Sequence, residues 1–371
     1  MKVVLVGPSL QLGGLENSVA VVANLLTQQG HRITLVTCYR HERFYRLEKS
    51  VEVIEPGFHR SQLPGPLFYA CWMRFVRKAV RGVSPDVVLS YGDFHNALVL
   101  AALAATGLPV VVSDRASPGL HFPLLVRTLR RMTYPGAAGI VAQTGRAAEV
   151  KLTMTRGRVP IEIIPNSVRE FPPHPDVPRE RVVLAVARHY RVKGLDRLIE
   201  AFARSDLRDW VLEIAGSEGP ETPRLKELLD RLGLSGRVRF LGPVKDLSVV
   251  YARTGIFVLP SRSEGFPNAL IEAMAHGCPS ISFDIDAGPA DIIRDGKNGL
   301  LIPDGDIDGL TEALRALAGD EGRRRALGKN AEGIADELDP ARIGKRISVF
   351  LQRATGHSSG PTAVVGDGER S

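Results

Sequence analysis

The sequence IFVLPSRSEGFPNALIEAMAHGCPSIS, residues 256–282, contains a complete strand–loop–helix–strand unit. Its first four residues, IFVL, are a short apolar run of the kind found in strands buried inside a parallel sheet, and residues 280–282 at its other end are predicted to form the next strand. Between them, Pro267 suits the first turn of a helix and Gly277 suits its C-terminal end. A helix that crosses over between two such strands indicates a parallel sheet covered by helices on both faces.

The same alternation extends through the rest of the 371 residues. One series of short apolar runs separated by helical patterns begins at residue 2, and a second series begins at residue 182. The proline-rich residues 172–178 lie between the two series and suit a domain boundary. We therefore predict two doubly wound, parallel-sheet (Rossmann-like) α/β domains, an N-terminal domain over 1–172 and a C-terminal domain over 178–340.

The remaining C-terminal residues are assigned separately. Residues 341–354 are predicted to form a helix that returns to the N-terminal domain, and the Gly- and Ser-rich residues 355–371 are predicted to be disordered. Ligands of open parallel sheets bind beyond the carboxyl ends of the strands. Two such domains therefore predict a binding site in the cleft between them.

The cysteines and the apolar runs favour a protein of the reducing cytoplasm. The three cysteines are too few and too widely spaced for a disulfide framework or a zinc site. The apolar run 3–6 is too short for a signal peptide. The longest apolar stretch, 97–112, is interrupted by Gly107 and Pro109 and is shorter than the roughly 20 residues that span a bilayer.

The charge of the chain is unevenly distributed. The formal net charge is +7, and residues 1–180 hold 21 Lys and Arg against 13 Asp and Glu. Residues 181–371 hold 27 basic against 28 acidic residues, so the positive charge lies in the N-terminal half. A basic half favours an anionic partner, which would be a membrane surface, a nucleic acid or an acidic substrate.

Two loops that follow predicted strands carry charged residues suited to substrate binding. Arg188 offers a bidentate guanidinium and Lys193 a point charge for phosphate oxygens, beside a glycine at 194. Glu264 lies in the loop before a helix, and Glu272 lies inside that helix among apolar residues. The alternatives are a solvated basic turn and a surface helix with two solvated acids. A third loop, at Gly288, could direct peptide N–H groups to a phosphate or a hydroxyl.

Taken together, these segments resemble the retaining glycosyltransferases of family 4, which have the GT-B fold. The sequence segments that carry the resemblance are KGLDRLIEAF (193–202), RVRFLGPV (237–244), GPADIIRDGKNGLLIPDGD (288–306), LGGLE (12–16), IPN (164–166) and residues 256–282. The stretch from Gly288 is most similar to a bacterial subgroup that often uses UDP-N-acetylgalactosamine or related UDP-hexoses. Most members of that subgroup carry Glu at the position of Asp291.

The resemblance implies a role for each matching residue. Arg188, Lys193 and Glu264 form the expected catalytic set, in which the two cations stabilise the leaving nucleotide diphosphate and Glu264 contacts hydroxyls of the donor sugar. Glu272 is expected to accept hydrogen bonds from the ribose. The other expected donor-binding residues are Gly13, Gly14, Asn166, Gly265, Phe266, Pro267 and Asn268. The donor is expected to be a nucleotide-sugar, UDP-linked in keeping with the subgroup, and neither a metal nor another cofactor is expected.

Asp114 and Arg115 stand where many family members carry a histidine after the strand at 110–112. The resemblance suggests that one of them contacts the acceptor or the donor sugar, and a strand-end salt bridge is the equally open alternative. His95 and His121 are further candidates, although a single histidine is more often structural.

Two stretches of the basic half combine apolar and basic side chains. Residues 67–80 and 122–132 contain aromatic and aliphatic residues with Lys and Arg close by, as an interfacial helix on anionic lipid requires. They predict a protein peripheral on the inner face of the cell membrane that acts on a glycan or a polyprenyl-diphosphate-linked acceptor. The alternative is an ordinary core helix with a basic solvent face.

Rival functions are less well supported by the sequence. A retaining hydrolase needs carboxylates about 5–5.5 Å apart, whereas Glu264 and Glu272 would be about 12 Å apart along a helix. A dinucleotide oxidoreductase is disfavoured because the loop after the first predicted strand of this chain lacks the G-x-G-x-x-G spacing. A non-enzymatic scaffold of this fold that binds nucleic acid or membrane is the remaining alternative, but no nucleic-acid recognition motif is present and no nucleic-acid partner is expected.

Overall fold

A computed structural model describes residues 1–11, 13–169, 171 and 177–356, and the chain divides into two units. The first unit contains Met1–Asn166 and the described residues from Pro340 onward, and the second contains Ser167–Asp339. Each unit has its own sheet, and every pair of neighbouring strands in both sheets is parallel. The predicted fold class is confirmed.

The first unit is built on a seven-stranded sheet of order β3-β2-β1-β4-β5-β6-β7. Its strands are β1 Lys2–Gly7, β2 Arg32–Thr37, β3 Glu52–Ile54, β4 Val87–Tyr91, β5 Val110–Ser113, β6 Gly139–Ala142 and β7 Ile161–Ile163. Its helices up to β7 are α1 Gly14–Gln28, α2 Gly65–Val83, α3 Asp93–Leu103, α4 Leu124–Thr133 and α5 Gly145–Thr155. The central strands are mostly apolar and are buried along their whole length because helices cover both faces of the sheet.

The second unit is built on a six-stranded sheet of order β10-β9-β8-β11-β12-β13. Its strands are β8 Val182–Val186, β9 Val211–Ala215, β10 Val238–Gly242, β11 Ile256–Leu259, β12 Ser280–Asp284 and β13 Leu300–Pro303. Its helices are α6 Leu195–Ser205, α7 Thr222–Arg231, α8 Ser248–Arg253, α9 Asn268–Ala275, α10 Pro289–Ile292, α11 Ile307–Gly319, α12 Glu321–Ala331 and α13 Ile334–Glu337.

The last described helix, α14 Pro340–Ala354, belongs to the first unit. It packs against α1, β4 and β5, and the Oγ of its Ser348 lies 2.7 Å from Nε2 of His31. A side chain at Gly139 would come within 2.7 Å of the Phe350 ring, so glycine at this position leaves space for the helix. The first unit thus combines the beginning of the chain with its last described helix.

The predicted segment bounds differ slightly from this division. The first unit ends at Asn166 rather than at 172, and α14 begins at Pro340 rather than at 341. The prolines at 172, 173 and 175 of the predicted connector lie outside the described residues, as does the predicted disordered tail from residue 357 onward. In the described part of the chain, no helix is both long enough and apolar enough to cross a membrane.

Strand order reverses once in each sheet. In the first unit the reversal lies between β1 and β4, and in the second unit it lies between β8 and β11. The loops that follow such a pair of strands diverge to opposite faces of the sheet and leave a crevice at its carboxyl edge. In the second unit these are the loops of Lys193 and Glu264.

Candidate functional site

The loop after β8 and the loop after β11 are in direct contact at the carboxyl edge of the second sheet. Gly194 has φ of +64°, and a side chain there would clash with the carbonyl oxygen of Pro260. The backbone N–H of Arg262 donates to the carbonyl of Val192 over 2.8 Å. Glycine is therefore required at 194 both for the left-handed backbone and for the contact between the loops.

This contact brings together Lys193 and Glu264, two of the three predicted catalytic residues. Lys193 Nζ lies 2.7 Å from Glu264 Oε1 and 2.8 Å from Oε2. Ser261 Oγ donates to Oε1 over 2.7 Å. The side chain of Glu264 is 9% exposed and that of Lys193 is 26% exposed. The carboxylate is thus held in one orientation, while the ammonium remains accessible to a ligand.

A second ion pair, which was not predicted from the sequence, links the same two loops. Arg262 makes a bidentate contact with Asp196 at the start of α6, with both N–O distances 2.7 Å, and also donates to the carbonyl of Arg191. Burial alone would raise the pKa of Asp196. The hydrogen bonds and the charge of Arg262 outweigh this effect and hold the pKa of Asp196 below its ordinary value. The bidentate geometry makes this a rigid link.

Arg188, the third predicted catalytic residue, is exposed just beyond β8. Its guanidinium lies 5.0 Å from the centre of the Tyr190 ring, and no carboxylate of the described residues forms an ion pair with it. The loop after β9 packs closely against the backbone beside Arg188. A side chain at Gly216 would clash with the carbonyl of Ala187, and the N–H of His189 donates to the carbonyl of Ser217. Arg188 therefore has a supported backbone and, within the described part of the chain, no carboxylate as counter-ion.

Glu272 lies inside α9, as predicted, with its carboxyl group largely enclosed. Burial raises the pKa of Glu272 to about 7, against the opposing effects of the Arg169 charge and a hydrogen bond from Tyr251. That hydrogen bond runs from Tyr251 Oη to Glu272 Oε2 over 3.2 Å. Tyr251 is fully buried in α8 and was missed, because a single tyrosine in a short helix gives no functional signal.

The segment from Gly265 to Asn268 connects the two glutamates. Phe266 and Pro267 are buried, so any contact they make with a ligand would involve mainly the backbone. Pro267 immediately precedes α9, and its carbonyl accepts from the N–H groups of residues 270 and 271. Gly288, with φ of +106°, brings the loop after β12 against the same proline, since a side chain there would lie 2.8 Å from Pro267 Cδ. The three predicted loops therefore meet at one edge.

The predicted donor contacts of the first unit lie at the start of α1 and at the end of β7. The N–H and the carbonyl of Gly13 are both hydrogen-bonded to the Tyr45 hydroxyl, and a side chain at Gly13 would clash with the Glu16 carboxylate. Gly14 has open space around it and begins α1. Asn166 Oδ1 accepts a hydrogen bond from the Arg115 guanidinium. Their contacts with a donor stay predictions.

Asp114 is buried at the end of β5 and belongs to the strand-end salt bridge that the sequence left open as the alternative. Its carboxylate accepts from four groups: Arg130 (2.6 Å), Lys151 (2.8 Å), Tyr134 (2.6 Å) and Asn96 (2.8 Å). Burial alone would raise the pKa of Asp114, but the charges of Lys151 and Arg130 hold it well below its ordinary value. A carboxylate enclosed in this way has no face left for a sugar.

Arg115 and His95, one of the two candidate histidines, also have internal surroundings. The Arg115 guanidinium lies 5.2 Å from the centre of the Tyr91 ring and donates to Asn166, and burial lowers its pKa. His95 packs edge-on against the rings of Tyr39 and Trp72, and burial lowers its pKa to about 4, so it is neutral and structural. His121, in contrast, is exposed.

The two stretches predicted to dock on lipid differ in the structure. In α2, four apolar side chains are fully buried in the core of the first unit: Phe68, Trp72, Val76 and Val80. The surroundings of α2 therefore match the alternative interpretation, an ordinary core helix with a basic solvent face. In α4, Leu124 is 76% exposed, Leu125 80% and Met132 76%. Of the two helices, α4 exposes more apolar side chains beside its arginines, while α2 exposes Leu67 (50%).

No group of three or more His, Cys, Asp or Glu side chains in the described ranges has an arrangement that could hold a metal ion. The prediction of metal independence concerns the reaction and is not tested by this observation.

Comparison with known proteins gives matches over most of the chain. Residues 12–170 match the model for "Glycosyltransferase Family 4", and residues 168–333 match the model for "Glycosyl transferases group 1". An exopolysaccharide phosphotransferase of Streptomyces coelicolor is 29% identical over 359 residues, which are 86% of this chain. The chain spans only 37% of the length of that relative.

Two further similarities extend over nearly the whole chain. A Campylobacter jejuni protein is 27% identical over 360 residues, which are 92% of this chain and 96% of that protein. Its name is GalNAc-α-(1→4)-GalNAc-α-(1→3)-diNAcBac-PP-undecaprenol α-1,4-N-acetyl-D-galactosaminyltransferase. The crystal structure of Anabaena HepE in complex with UDP has a TM-score of 0.76 and 19% identity, over 95% of this chain and 100% of that one. At this identity the similarity concerns the fold.

Proposed function

The chain belongs to the family 4 (group 1) glycosyltransferases, which have the GT-B fold, and on that premise we propose that it is a retaining, metal-independent enzyme. It transfers a hexose or an N-acetylhexosamine from a UDP-sugar to a glycan or a polyprenyl-diphosphate-linked acceptor. The product contributes to a surface polysaccharide or glycoconjugate, in keeping with one relative named as an exopolysaccharide phosphotransferase and another named for transfer to an undecaprenol-diphosphate-linked glycan.

The single observation that carries the proposal is the contact between Lys193 and Glu264, with Arg188 exposed just beyond β8, the strand that also precedes Lys193. When the bond between the sugar and the diphosphate breaks, negative charge develops on the leaving phosphate oxygens. Two positioned cations stabilise this charge, and such preorganised electrostatic help is often the largest catalytic contribution. Glu264 is oriented by Lys193 and Ser261 so that a free lone pair can accept from a hydroxyl of the donor sugar.

Glu272 supports a nucleoside as the leaving group. A carboxylate on a helix beside these loops can accept hydrogen bonds from the two adjacent hydroxyls of a ribose. Tyr251 fixes one of its oxygens, which leaves the other for a ligand. Uridine is favoured because the stretch from Gly288 resembles a subgroup that often uses UDP-N-acetylgalactosamine or related UDP-hexoses. The Campylobacter relative is named for N-acetylgalactosamine transfer to a lipid-linked acceptor.

Membrane attachment is the third part of the proposal. Helix α4 exposes Leu124, Leu125 and Met132, and arginines lie on the same helix. Leucines insert into the interface of the bilayer, while arginines interact with anionic headgroups. We place the enzyme peripherally on the inner face of the cell membrane, where a lipid-linked acceptor is presented.

The test is a panel of nucleotides and nucleotide-sugars, whose binding is followed by thermal shift and whose turnover is followed by donor hydrolysis, each measured with and without EDTA. A ligand at a hundred times its Kd stabilises the folded state by about 2.7 kcal/mol, which a thermal shift detects. We expect UDP and one UDP-sugar to raise Tm in the wild type but not in Arg188→Ala or Glu272→Gln. Arg323→Gln, at an exposed arginine on α12, is the matched control.

Each outcome has a defined meaning. A response to UDP that survives in both site variants would contradict the site. A preference for another nucleotide would replace uridine, and hydrolysis abolished by EDTA would overturn metal independence. Analysis of the anomeric configuration of the product by NMR tests retention directly.

A further inference from the structure

A cavity of about 1020 Å³ lies in the first unit between α4, α5 and the loop that follows β5. The loop contributes residues 117, 118 and 120–122, and both helices contribute side chains to the lining. None of the sequence motifs predicts this cavity, and the site in the second unit does not include it.

The lining of the cavity is strongly basic. Among the described residues that line it, seven are Lys or Arg and two are Asp or Glu. Arg146 pairs with Glu149 at 3.0 Å. Four other arginines have no ion-pair partner in the described part of the chain and are exposed: Arg127, Arg131, Arg156 and Arg158. Positive charge that the protein does not neutralise indicates an anionic ligand.

Two further cations lie deeper, among the buried residues of the lining. Arg130 is 6% exposed and Lys151 is 4% exposed. The Nε–H of Arg130 has no hydrogen-bond partner among the described residues. The Lys151 ammonium has three N–H donors, and Asp114 Oδ2 at 2.8 Å is its acceptor within the described chain. Buried donors without acceptors are costly, so an oxygen-rich anion in the cavity would satisfy them.

The entrance of the cavity adjoins apolar surface. Leu120, which lines the cavity, is 53% exposed, and Leu124 and Leu125 at the start of α4 are 76% and 80% exposed. A site for a free, fully hydrated anion would have no use for these leucines, and neither would a surface for a polynucleotide backbone. A ligand with a charged head and an apolar tail matches both parts of the surface.

We propose that this cavity binds the diphosphate of an isoprenoid-type amphiphile, with the arginines around the phosphates and the apolar chain along Leu120 and α4. This inference rests on the proposed function, because such a ligand is the lipid end of the acceptor. Guanidinium groups bind phosphate oxygens in a bidentate manner, so the four unpaired arginines provide more than one contact for each phosphate.

The experiment measures binding of farnesyl diphosphate, a short soluble probe, to the whole chain by calorimetry at fixed salt. Farnesol and inorganic diphosphate are the two half-ligands. We expect farnesyl diphosphate to bind at least tenfold more tightly than either, and Arg127→Gln/Arg131→Gln to weaken it at least tenfold. The matched control is Arg74→Gln/Lys78→Gln, which removes two exposed cations from α2 outside the cavity and should change binding less than twofold.

Several results would overturn the inference. An equal loss of farnesyl diphosphate affinity in both double variants would show that diffuse surface charge binds the ligand. If inorganic diphosphate binds as tightly as farnesyl diphosphate, the cavity is a site for a free anion. Tighter binding of a short single-stranded RNA, lost in the same variant, would assign the surface to nucleic acid. Both variants must keep the Tm of the wild type, so that a loss of binding is not a loss of folding.

The UDP thermal shift on the same preparations separates this inference from the proposed function. A normal response to UDP with no binding of farnesyl diphosphate refutes the lipid site alone. Binding of farnesyl diphosphate with no response to any nucleotide refutes the proposed function and leaves the cavity as a site for a prenyl diphosphate.

Discussion

The ammonium of Lys193 lies within 2.8 Å of both carboxylate oxygens of Glu264, although the two residues are 71 positions apart in the sequence. They meet because strands β8 and β11 are neighbours at the point where strand order reverses in the second sheet. A cation and a carboxylate with separate expected roles, one for the phosphate and one for the sugar, are thus a single preformed unit.

Lys193→Ala is expected to lower kcat about 10²–10³-fold, because it removes one of the two cations that stabilise the leaving diphosphate. Glu264→Gln keeps the shape of the side chain and should lower kcat without unfolding the loop. Initial rates at saturating UDP-sugar provide the measurement, with Arg323→Gln as the control. A rise in KM with unchanged kcat would show that Lys193 contributes equally to ground-state and transition-state binding.

Arg262→Gln is expected to weaken the binding of UDP by up to about 10-fold without contacting it, because the bidentate pair with Asp196 holds the Glu264 loop in place. The matched control is Arg204→Gln, whose partner Asp308 is 83% exposed and whose ion pair should contribute little. Calorimetric titration of UDP compares the two variants. If Arg262→Gln binds UDP as the wild type does, the pair does not position the site.

The affinity for UDP is expected to fall as the pH drops below about 7, because the ribose hydroxyls need the ionised form of Glu272, whose pKa is raised to about 7 by burial. Well below this pKa, the affinity should approach a tenfold loss for each pH unit. Glu272→Gln should bind weakly at every pH and lose this dependence. A wild-type affinity that is constant from pH 5.5 to 8 would contradict the role of Glu272.

The same group affects folding in the opposite direction. Because the pKa of Glu272 is higher in the folded protein than in the unfolded chain, the folded state binds more protons between about pH 4.5 and 7. Its contribution to the free energy of unfolding is therefore largest at low pH and declines as pH rises through this range. Urea unfolding of wild type and Glu272→Gln should show a difference that changes with pH in this window.

Asp114→Asn is expected to destabilise the first unit by about 3–5 kcal/mol, because it leaves Arg130 and Lys151 buried without their shared counter-ion. Tyr134→Phe removes one hydrogen bond to the same carboxylate and should cost about 1 kcal/mol. Urea unfolding measures both. An Asp114→Asn protein of normal stability with a raised KM for the acceptor would instead place Asp114 in contact with substrate.

Leu124→Ser/Leu125→Ser is expected to reduce flotation with anionic liposomes several-fold, because it removes two of the three large exposed apolar side chains of α4. The matched control is Leu232→Ser/Val249→Ser, at two exposed apolar positions of the second unit. Flotation that is absent from the wild type, or equally lost in the control, would remove α4 from membrane binding.

Local sequence patterns were sufficient for the secondary structure but not for the surroundings of a helix. The residues at 67–80 and at 122–132 both predicted an interfacial helix, because each places basic residues beside apolar ones. In α2 the apolar face, with Phe68 and Trp72, is buried against the sheet, whereas α4 leaves Leu124 and Leu125 exposed. Helical periodicity determines which residues share a face, but only packing determines what covers that face.

The sequence by itself determined the two α/β domains and the three loops that carry Lys193, Glu264 and Gly288. Strand–helix alternation, glycine turns and the family motifs are local features, and in a parallel sheet every strand end of this kind lies at the same edge. The tertiary structure alone decided the contacts: Lys193 with Glu264, Arg262 with Asp196, and Asp114 enclosed by four donors. Such pairings depend on which strands are neighbours and on how deeply a side chain is buried, and neither property is encoded within a few residues of the chain.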